Sequence, residues 1–216
     1  GLNGIWLHAM LRDLTSHPLL PGFGGERVAR LARLNRLIGR CGSHGLKLYL
    51  YLNEPRAMPA SFFDTRPELR GDVGRKGDGL VSLCTSTEPV RRWLREAVNQ
   101  LVTKASGLAG LILITASENP TNCYSIRRNT ACPRCSKRTP DSVIGEVVRV
   151  IRDGAHQASP AARIIAWDWS WGVVEDDSQR AVIAALPDGV TLQVDFERGT
   201  PAERLGRKTV IDEYSL

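Results

Sequence analysis

Leu111-Ile112-Leu113-Ile114 decides the fold, because four consecutive large aliphatic residues leave no polar face. In a β-strand successive side chains point to opposite faces, so a strand of this composition must be buried on both sides. Strands buried on both sides are typical of a parallel sheet covered by helices. Residues 108–115 are therefore predicted to form a central strand of such a sheet.

The chain repeats the same pattern on both sides of this strand: an apolar, β-branched segment, a loop, and usually an amphipathic helix. This alternation is typical of parallel strands joined by crossover helices, and it predicts a single domain over residues 1–216. The predicted strands are residues 4–10, 46–52, 108–115, 163–169 and 191–196, with a last short strand at 209–212. The predicted helices are residues 26–41, 88–105, 142–158 and 177–186.

A (β/α)-barrel and an open doubly wound sheet both fit this pattern. Polar or aromatic residues follow almost every predicted strand, as the catalytic face of a barrel requires. No Gly-rich phosphate loop of the G-x-G-x-x-G or P-loop type follows a strand, although an open sheet often carries one. The favoured fold is α/β, a (β/α)8 TIM barrel that is incomplete, with five or six of its strands present.

The start of the chain bears on its location in the cell. The sequence begins at Gly1 without an initiator methionine or a signal-peptide pattern, which we interpret as an excerpt. A secretion signal upstream is left open, so the localisation is not assigned.

Composition excludes some classes of protein. The chain is 42% hydrophobic and 24% charged, as expected of an ordinary globular domain. No apolar run approaches the roughly 20 residues that a membrane-spanning helix needs. The net charge of +6 raises the question of nucleic acid, but many arginines lie on the polar side of the amphipathic helix at 26–41. Neither a membrane span nor nucleic-acid binding is predicted.

The segment LILITASENPTN, residues 111–122, places Ser117, Glu118 and Asn119 directly after the central strand. A carboxyl group partly shielded by apolar walls has a raised pKa and can act as a general acid near neutral pH. Glu118 is the predicted catalytic acid, with Ser117 and Asn119 as substrate contacts. The alternative is a surface glutamate that caps the following loop.

The segment IIAWDWSWG, residues 164–172, alternates tryptophans with small or acidic residues. Aromatic faces suit the apolar faces of pyranose rings, and a carboxylate can accept hydrogen bonds from sugar hydroxyls. Trp167 and Trp169 are predicted to contact substrate, and Asp168 to take a catalytic role. Packing under the helices is the alternative, and it is expected for at least one of Trp167, Trp169 and Trp171.

Further polar residues lie in three other predicted strands or directly after them. Asn53, Glu54 and Arg56 come after the strand at 46–52, and Asp195 lies near the end of the strand at 191–196. His8 lies in the first strand. All five are predicted substrate contacts; the alternatives are an Arg56–Glu54 ion pair and a core position for His8.

Taken together, these segments resemble the catalytic barrel of family 20 glycoside hydrolases, the β-N-acetylhexosaminidase group. The similar elements occur in the same order: Asn3, His8 and Asp13; Gly45, Leu46, Lys47 and Leu48 through Glu54; Ser117 and Glu118; and Trp167 and Asp168. The resemblance implies a (β/α)-barrel in which Glu118 takes the general-acid position.

Two departures from the family pattern affect the mechanism. The family has an aspartate before the acid to orient the acetamido group, and Ser117 stands at that position. The family's P-G-H after the second strand is also missing, because Glu54 is followed by Pro55-Arg56-Ala57-Met58-Pro59. The partner of Glu118 is then expected among Asp168, Asp195, Glu197 or a strand outside the sequence.

Four cysteines form a separate group. Cys123, Cys132 and Cys135 follow the Glu118 strand as C-x8-C-P-R-C, and Cys84 precedes the helix at 88–105. In a barrel these two loops are neighbours, so the four thiolates are predicted to hold a structural zinc ion. Two disulfides are the alternative in a secreted protein, and free thiols the third. Cys41 is predicted to be core.

The predicted function is hydrolysis of a glycan by a hexosaminidase-like glycoside hydrolase. Its partner is a carbohydrate substrate, and no cofactor is required for catalysis. The alternative is an inactive carbohydrate-binding or scaffold protein on a glycosidase barrel, since fold alone does not establish catalysis. The oligomeric state is not assigned.

Overall fold

The structure is a computed structural model, and it describes residues 1–74, 77–117, 119–125, 129–174, 178–194, 199–204 and 206–211. The strands in these ranges are β1 (Gly4–Ala9), β2 (Lys47–Leu52), β3 (Met58–Pro59), β4 (Arg70–Val73), β5 (Leu80–Leu83), β6 (Gly110–Ile114), β7 (Arg163–Trp167), β8 (Val190–Gln193), β9 (Pro201–Arg204) and β10 (Arg207–Val210). The α-helices are α1 (Leu11–Leu14), α2 (Arg27–Ser43), α3 (Glu88–Lys104), α4 (Pro140–Ala158), α5 (Trp171–Val174) and α6 (Ser178–Ala184).

The main sheet has five strands in the order β1-β2-β6-β7-β8, and every neighbouring pair is parallel. Its spatial order is the chain order, with no point at which the order reverses. A doubly wound sheet has such a reversal and a barrel does not, so the topology agrees with the barrel alternative. The α/β class is confirmed, while the sheet formed by the described residues is open and not a closed barrel.

The prediction of a sixth strand in this sheet was wrong. β10 overlaps the predicted segment but pairs antiparallel with β9 in a separate two-stranded sheet. Asp212, the last residue of the prediction, lies outside the described residues. A short apolar run predicts extended backbone but not its partner, because pairing depends on residues distant in the chain.

A second small sheet, of order β3-β5-β4, is antiparallel and was not predicted from the sequence. Its strands have two to four residues, too few to show a period in the sequence. This sheet lies between β2 and α3 in the chain, and Cys84 follows its strand β5 directly.

The helices cover one face of the main sheet and bury one side each. On β2, Leu48, Leu50 and Leu52 are buried in the core, while the alternating tyrosines are half-buried. The buried residues of α3 and α4 recur at helical spacing, and these two helices pack against each other. None of the helices in the described ranges combines the length and the apolar character that crossing a bilayer demands.

Candidate active site and cysteine cluster

Parallel strands end at the same edge of a sheet, so the residues after β2, β6 and β7 are brought together. We call five of them the carboxyl-end rim. They are Asn53, Glu54, Thr115, Ser117 and Asp168, and none is more than 2% exposed. Buried polar groups need hydrogen-bond partners, so the contacts of the rim determine what it can bind.

Asn53 joins the ends of β2 and β6. Its Nδ2 donates to the Ser117 Oγ and to the Ile114 carbonyl, both at 3.4 Å. Its Oδ1 accepts from the Tyr51 hydroxyl at 2.5 Å. The backbone N–H of Asn119 donates to the Ser117 Oγ at 3.4 Å. The predicted substrate contacts Asn53, Ser117 and Asn119 therefore form one connected group.

Glu54 joins the ends of β1 and β2. Its Oε1 accepts from the backbone N–H of Leu11 and its Oε2 from the backbone N–H of Arg56, both at 2.8 Å. Burial nevertheless disfavours the carboxylate and raises the pKa of Glu54 to about 7, although these two hydrogen bonds oppose the shift. The structure therefore shows hydrogen bonds to the backbone where the sequence analysis considered an ion pair with Arg56.

Asp168 follows β7 and is fully buried. Its Oδ2 accepts a hydrogen bond from the Gln179 side chain of α6, and its backbone N–H donates to the Gln193 carbonyl at 3.0 Å. Trp171 is also fully buried, and its Nε1 donates to the Thr115 Oγ1 at 3.1 Å. Asp168 is thus held by α6 and β8, while Trp171 connects the end of β6 to α5.

The three tryptophans of this segment separate into two roles. Trp171 is a core residue, as the sequence analysis expected for one of them. Trp167 and Trp169 are half-buried, and their rings meet edge to face with centroids 5.1 Å apart. Such a pair offers an aromatic face at the end of β7.

His8 is an exposed residue of β1, not a core residue, and its ring lies 5.3 Å from that of Tyr51. Partial burial, and then the neighbouring charge of Arg56, lower the pKa of His8. Arg56 and Asn119 also border a cavity of about 270 Å³, together with Arg12, Phe23, Ala57, Pro59, Leu80 and Pro120. The cavity lies beside the rim and presents two guanidinium groups.

Two predicted site residues, Glu118 and Asp195, lie outside the described residues, as does Glu197. Conversely, three residues of the site were missed by the sequence analysis: Tyr51, Thr115 and Gln179. The sequence signals for two of them are weak. Tyr51 is a hydroxyl-bearing residue within the strand LYLYL, and Thr115 is the first polar residue after an aliphatic run. Gln179 carries no local signal, since only the packing of α6 brings it to Asp168.

The second group of functional side chains is the cysteine cluster, defined as Cys84, Cys123, Cys132 and Cys135. All four are buried, and their sulfur atoms lie within 4.8 Å of one another. Cys84 Sγ is 3.6 Å from Cys132 Sγ and 3.7 Å from Cys135 Sγ. The two loops that supply them, before α3 and before α4, are therefore neighbours. Cys41 is buried on α2, outside this cluster.

Polar groups surround the sulfur atoms. Arg134 Nε donates to Cys84 Sγ at 3.3 Å, and the Ser86 Oγ lies 3.2 Å from Cys135 Sγ. The hydrogen bond with Cys123, together with those from Cys135 and Arg134, lowers the pKa of Cys84 to about 6. Hydrogen bonds with Cys123, Cys135 and Cys84 lower the pKa of Cys132 as well, so the cluster favours thiolate at both Cys84 and Cys132.

Comparison with known proteins gives a fold but no family. No protein-family model and no curated protein sequence matches the chain. Among solved structures, Amy13B of Eubacterium rectale is similar with a TM-score of 0.50 and 10% identity, over 78% of this chain and 37% of that one. The chain thus spans well under half of Amy13B, and at this identity the similarity is one of fold alone.

Two further solved structures match with lower TM-scores. Ega3 of Aspergillus fumigatus, in complex with galactosamine, has a TM-score of 0.43 and 11% identity, over 74% of this chain and 64% of that one. The α-galactosidase of Lactobacillus brevis has a TM-score of 0.36 and 14% identity, over 62% and 18%. The class defined by fold and site is an α/β protein with a chain-ordered parallel sheet and a polar rim at its carboxyl edge.

Proposed function

We propose that this chain acts on glycans as a glycoside hydrolase, with its sugar-binding site at the carboxyl-end rim. The supporting observation is that three successive parallel strands, β2, β6 and β7, bring buried carboxyl, amide and hydroxyl groups to one edge. Active sites of (β/α)-barrels are built at this edge, and the fold shared with Amy13B is consistent with such an architecture.

In this proposal Glu118 is the general acid that protonates the leaving oxygen. It follows Ser117, a rim residue, in the sequence, and the resemblance of the sequence to family 20 implies an acid at this position. Asp168 is the partner carboxylate. Its burial and its hydrogen bond to Gln179 hold it in one orientation, as a nucleophile or base requires.

The remaining residues form the sugar subsite. Trp167 and Trp169 supply the aromatic face for a pyranose ring. The cavity at Arg56 and Asn119 supplies donors for hydroxyl or anionic substituents, while Asn53 holds Ser117 and Tyr51 in place beside it. Ser117 has no carboxylate with which to orient an acetamido group, so we propose a reaction through Asp168 in place of the substrate-assisted hexosaminidase route.

The test compares Glu118→Gln and Asp168→Asn with the unchanged full chain on a panel of glycosides. Loss of a general acid lowers turnover by about 10² to 10⁴. Glu118→Gln should therefore lose turnover of alkyl glycosides, yet it should retain more turnover of aryl glycosides, because their leaving groups need no proton. Asp168→Asn should fail on both kinds of substrate, because every leaving group needs the partner carboxylate.

The control is Glu68→Gln, an exposed carboxylate on the 3-10 helix Pro67–Leu69, which should leave turnover unchanged. Full activity of Glu118→Gln on alkyl glycosides would overturn the role of Glu118.

The alternative function is a carbohydrate-binding protein without catalysis, favoured by Ser117 at the family's aspartate position. Sugar binding by calorimetry without turnover of any glycoside would establish that alternative.

A further inference from the structure

The cysteine cluster has the dimensions of a tetrahedral metal site. A tetrahedron with zinc–sulfur bonds of about 2.3 Å has sulfur–sulfur edges of about 3.8 Å. The Cys84 sulfur lies 3.6 Å and 3.7 Å from those of Cys132 and Cys135, and all four sulfurs fall within 4.8 Å of one another. A disulfide needs its two sulfurs at about 2.05 Å, and two disulfides would not require all four to share one centre.

The surroundings suit four bound thiolates. Four thiolates and one Zn²⁺ carry a net negative charge, and in a buried site this charge needs nearby hydrogen-bond donors or cations. The Arg134 guanidinium donates to Cys84 Sγ at 3.3 Å, and hydroxyls lie close to two other sulfurs: Ser86 by Cys135 at 3.2 Å, and Ser82 by Cys123 at 3.7 Å. Groups that donate to ligand sulfurs commonly orient and tune metal sites.

The backbone of β4 lies close to the cluster, and a glycine makes this approach possible. A Cβ at Gly71 would lie 2.8 Å from Cys123 Sγ and 2.5 Å from the Ser82 Oγ, so only glycine fits there. Asp72 Oδ2 accepts from Thr130 Oγ1 at 2.6 Å and from the Ala131 N–H at 2.8 Å. β4 therefore holds the segment before Cys132 in place beside the cluster.

We propose that Cys84, Cys123, Cys132 and Cys135 bind one zinc ion as a structural site. The ion holds the segments 119–125 and 129–139 to the connection between β5 and α3. Four protein ligands leave no position for water or substrate, so the ion takes no part in chemistry. Long connections need their own source of order, and the segment 119–125 follows the carboxyl-end rim directly. The site is independent of the proposed hydrolase activity, since a binding protein would need the same ordered loop.

The first experiment measures metal in the full chain purified under reducing conditions. Elemental analysis should give one equivalent of zinc, released when a mercurial reagent modifies the thiols. Replacing zinc by Co²⁺ should give the thiolate-to-cobalt charge-transfer bands and the d–d bands of tetrahedral sulfur coordination. One equivalent of iron would contradict the choice of metal. For chain purified without reductant, an intact mass lowered by the hydrogens lost in forming two disulfides would overturn the proposal.

Variants then assign the ligands. Cys84→Ser and Cys132→Ser should lose stoichiometric zinc, whereas Cys123→His should retain it, because a Cys₃His set also binds zinc tetrahedrally. Cys41→Ser is the matched control, a buried cysteine outside the cluster that should keep full zinc. Stoichiometric zinc in both serine variants would contradict the assignment, and the cobalt spectrum of the unchanged chain remains decisive if those variants do not fold.

A readout of loop order separates this site from adventitious metal. Removing zinc with a chelator should speed amide hydrogen exchange in residues 119–125 and 129–139, with β7 as the internal reference that stays protected. Unchanged exchange in the loop after complete zinc removal would show that the ion does not fasten it.

Discussion

Glu54 is the residue at which burial and charge conflict most directly. It is 2% exposed, and its pKa is raised from 4.5 to about 7. The folded chain thus binds this proton more tightly than the unfolded chain does, so folding stability falls as pH rises from about 4.5 to about 7. Above about pH 7 the ionisation of Glu54 lowers the free energy of unfolding by about 3 kcal/mol.

We therefore expect Glu54→Gln to flatten the pH dependence of stability measured by urea unfolding between pH 5 and 8. Glutamine stays neutral, although its amide nitrogen cannot accept one of the two backbone N–H groups, a loss of about 1 kcal/mol or more at every pH. The pKa of His8 is lowered, which gives a slope of opposite sign, so the difference between the variant and the unchanged chain is the quantity to measure. Glu68→Gln is the control, and an unaltered slope in Glu54→Gln would contradict this assignment.

At the scale of elements, the contact between α3 and α4 depends on Gly154. A Cβ there would lie 2.4 Å from the Arg95 carbonyl oxygen of α3, which is backbone and cannot move aside. Alanine favours a helix over glycine by about 1 kcal/mol, but overpacking an interface costs about 1 to 3 kcal/mol. We expect the overpacking to dominate.

Gly154→Ala should therefore lower the free energy of unfolding, measured as a lower urea midpoint. The matched control is Gly39→Ala on the exposed side of α2, where nothing lies within 4 Å of the added Cβ. That change should stabilise the chain by about 0.5 to 1 kcal/mol. Equal stabilisation by both substitutions would show that the two helices are farther apart than the structure has them.

At the scale of the whole molecule, both edges of the main sheet expose apolar side chains. Trp6 and Leu7 on β1 are 53% and 40% exposed, and Val194 after β8 is 55% exposed. Within the described residues, β1 pairs only with β2. Exposed, apolar edge strands are sites of association.

We expect this chain to self-associate in a concentration-dependent way in sedimentation velocity, and Leu7→Lys to weaken the association. A charge on an edge strand opposes pairing with another strand. Val28→Lys is the matched control, an exposed apolar residue on α2 that is 73% exposed and far in the chain from either edge. Equal association of Leu7→Lys and the unchanged chain would show that the β1 edge is not the contact.

The sequence by itself determined the central strands and long helices, because hydrophobic periods of two and 3.6 residues are local properties. The structure contains the four longest predicted strands and all four predicted helices, and their ends lie within about two residues of the predicted ends. It also determined the C-P-R-C turn of Cys132 and Cys135, whose spacing is a property of a few adjacent residues. The short strands β3, β4 and β5 escaped prediction, since two to four residues are too few to show a hydrophobic period.

Only the tertiary structure decided which polar groups meet and which become buried. Gln179 reaches Asp168 through the packing of α6, and Cys84 joins the other three cysteines from a segment far away in the chain. The raised pKa of Glu54 has the same origin, because desolvation depends on every neighbouring atom and not on the residue type. Local sequence sets the elements, whereas the environment of a side chain is a sum over long-range contacts that exists only after the chain has folded.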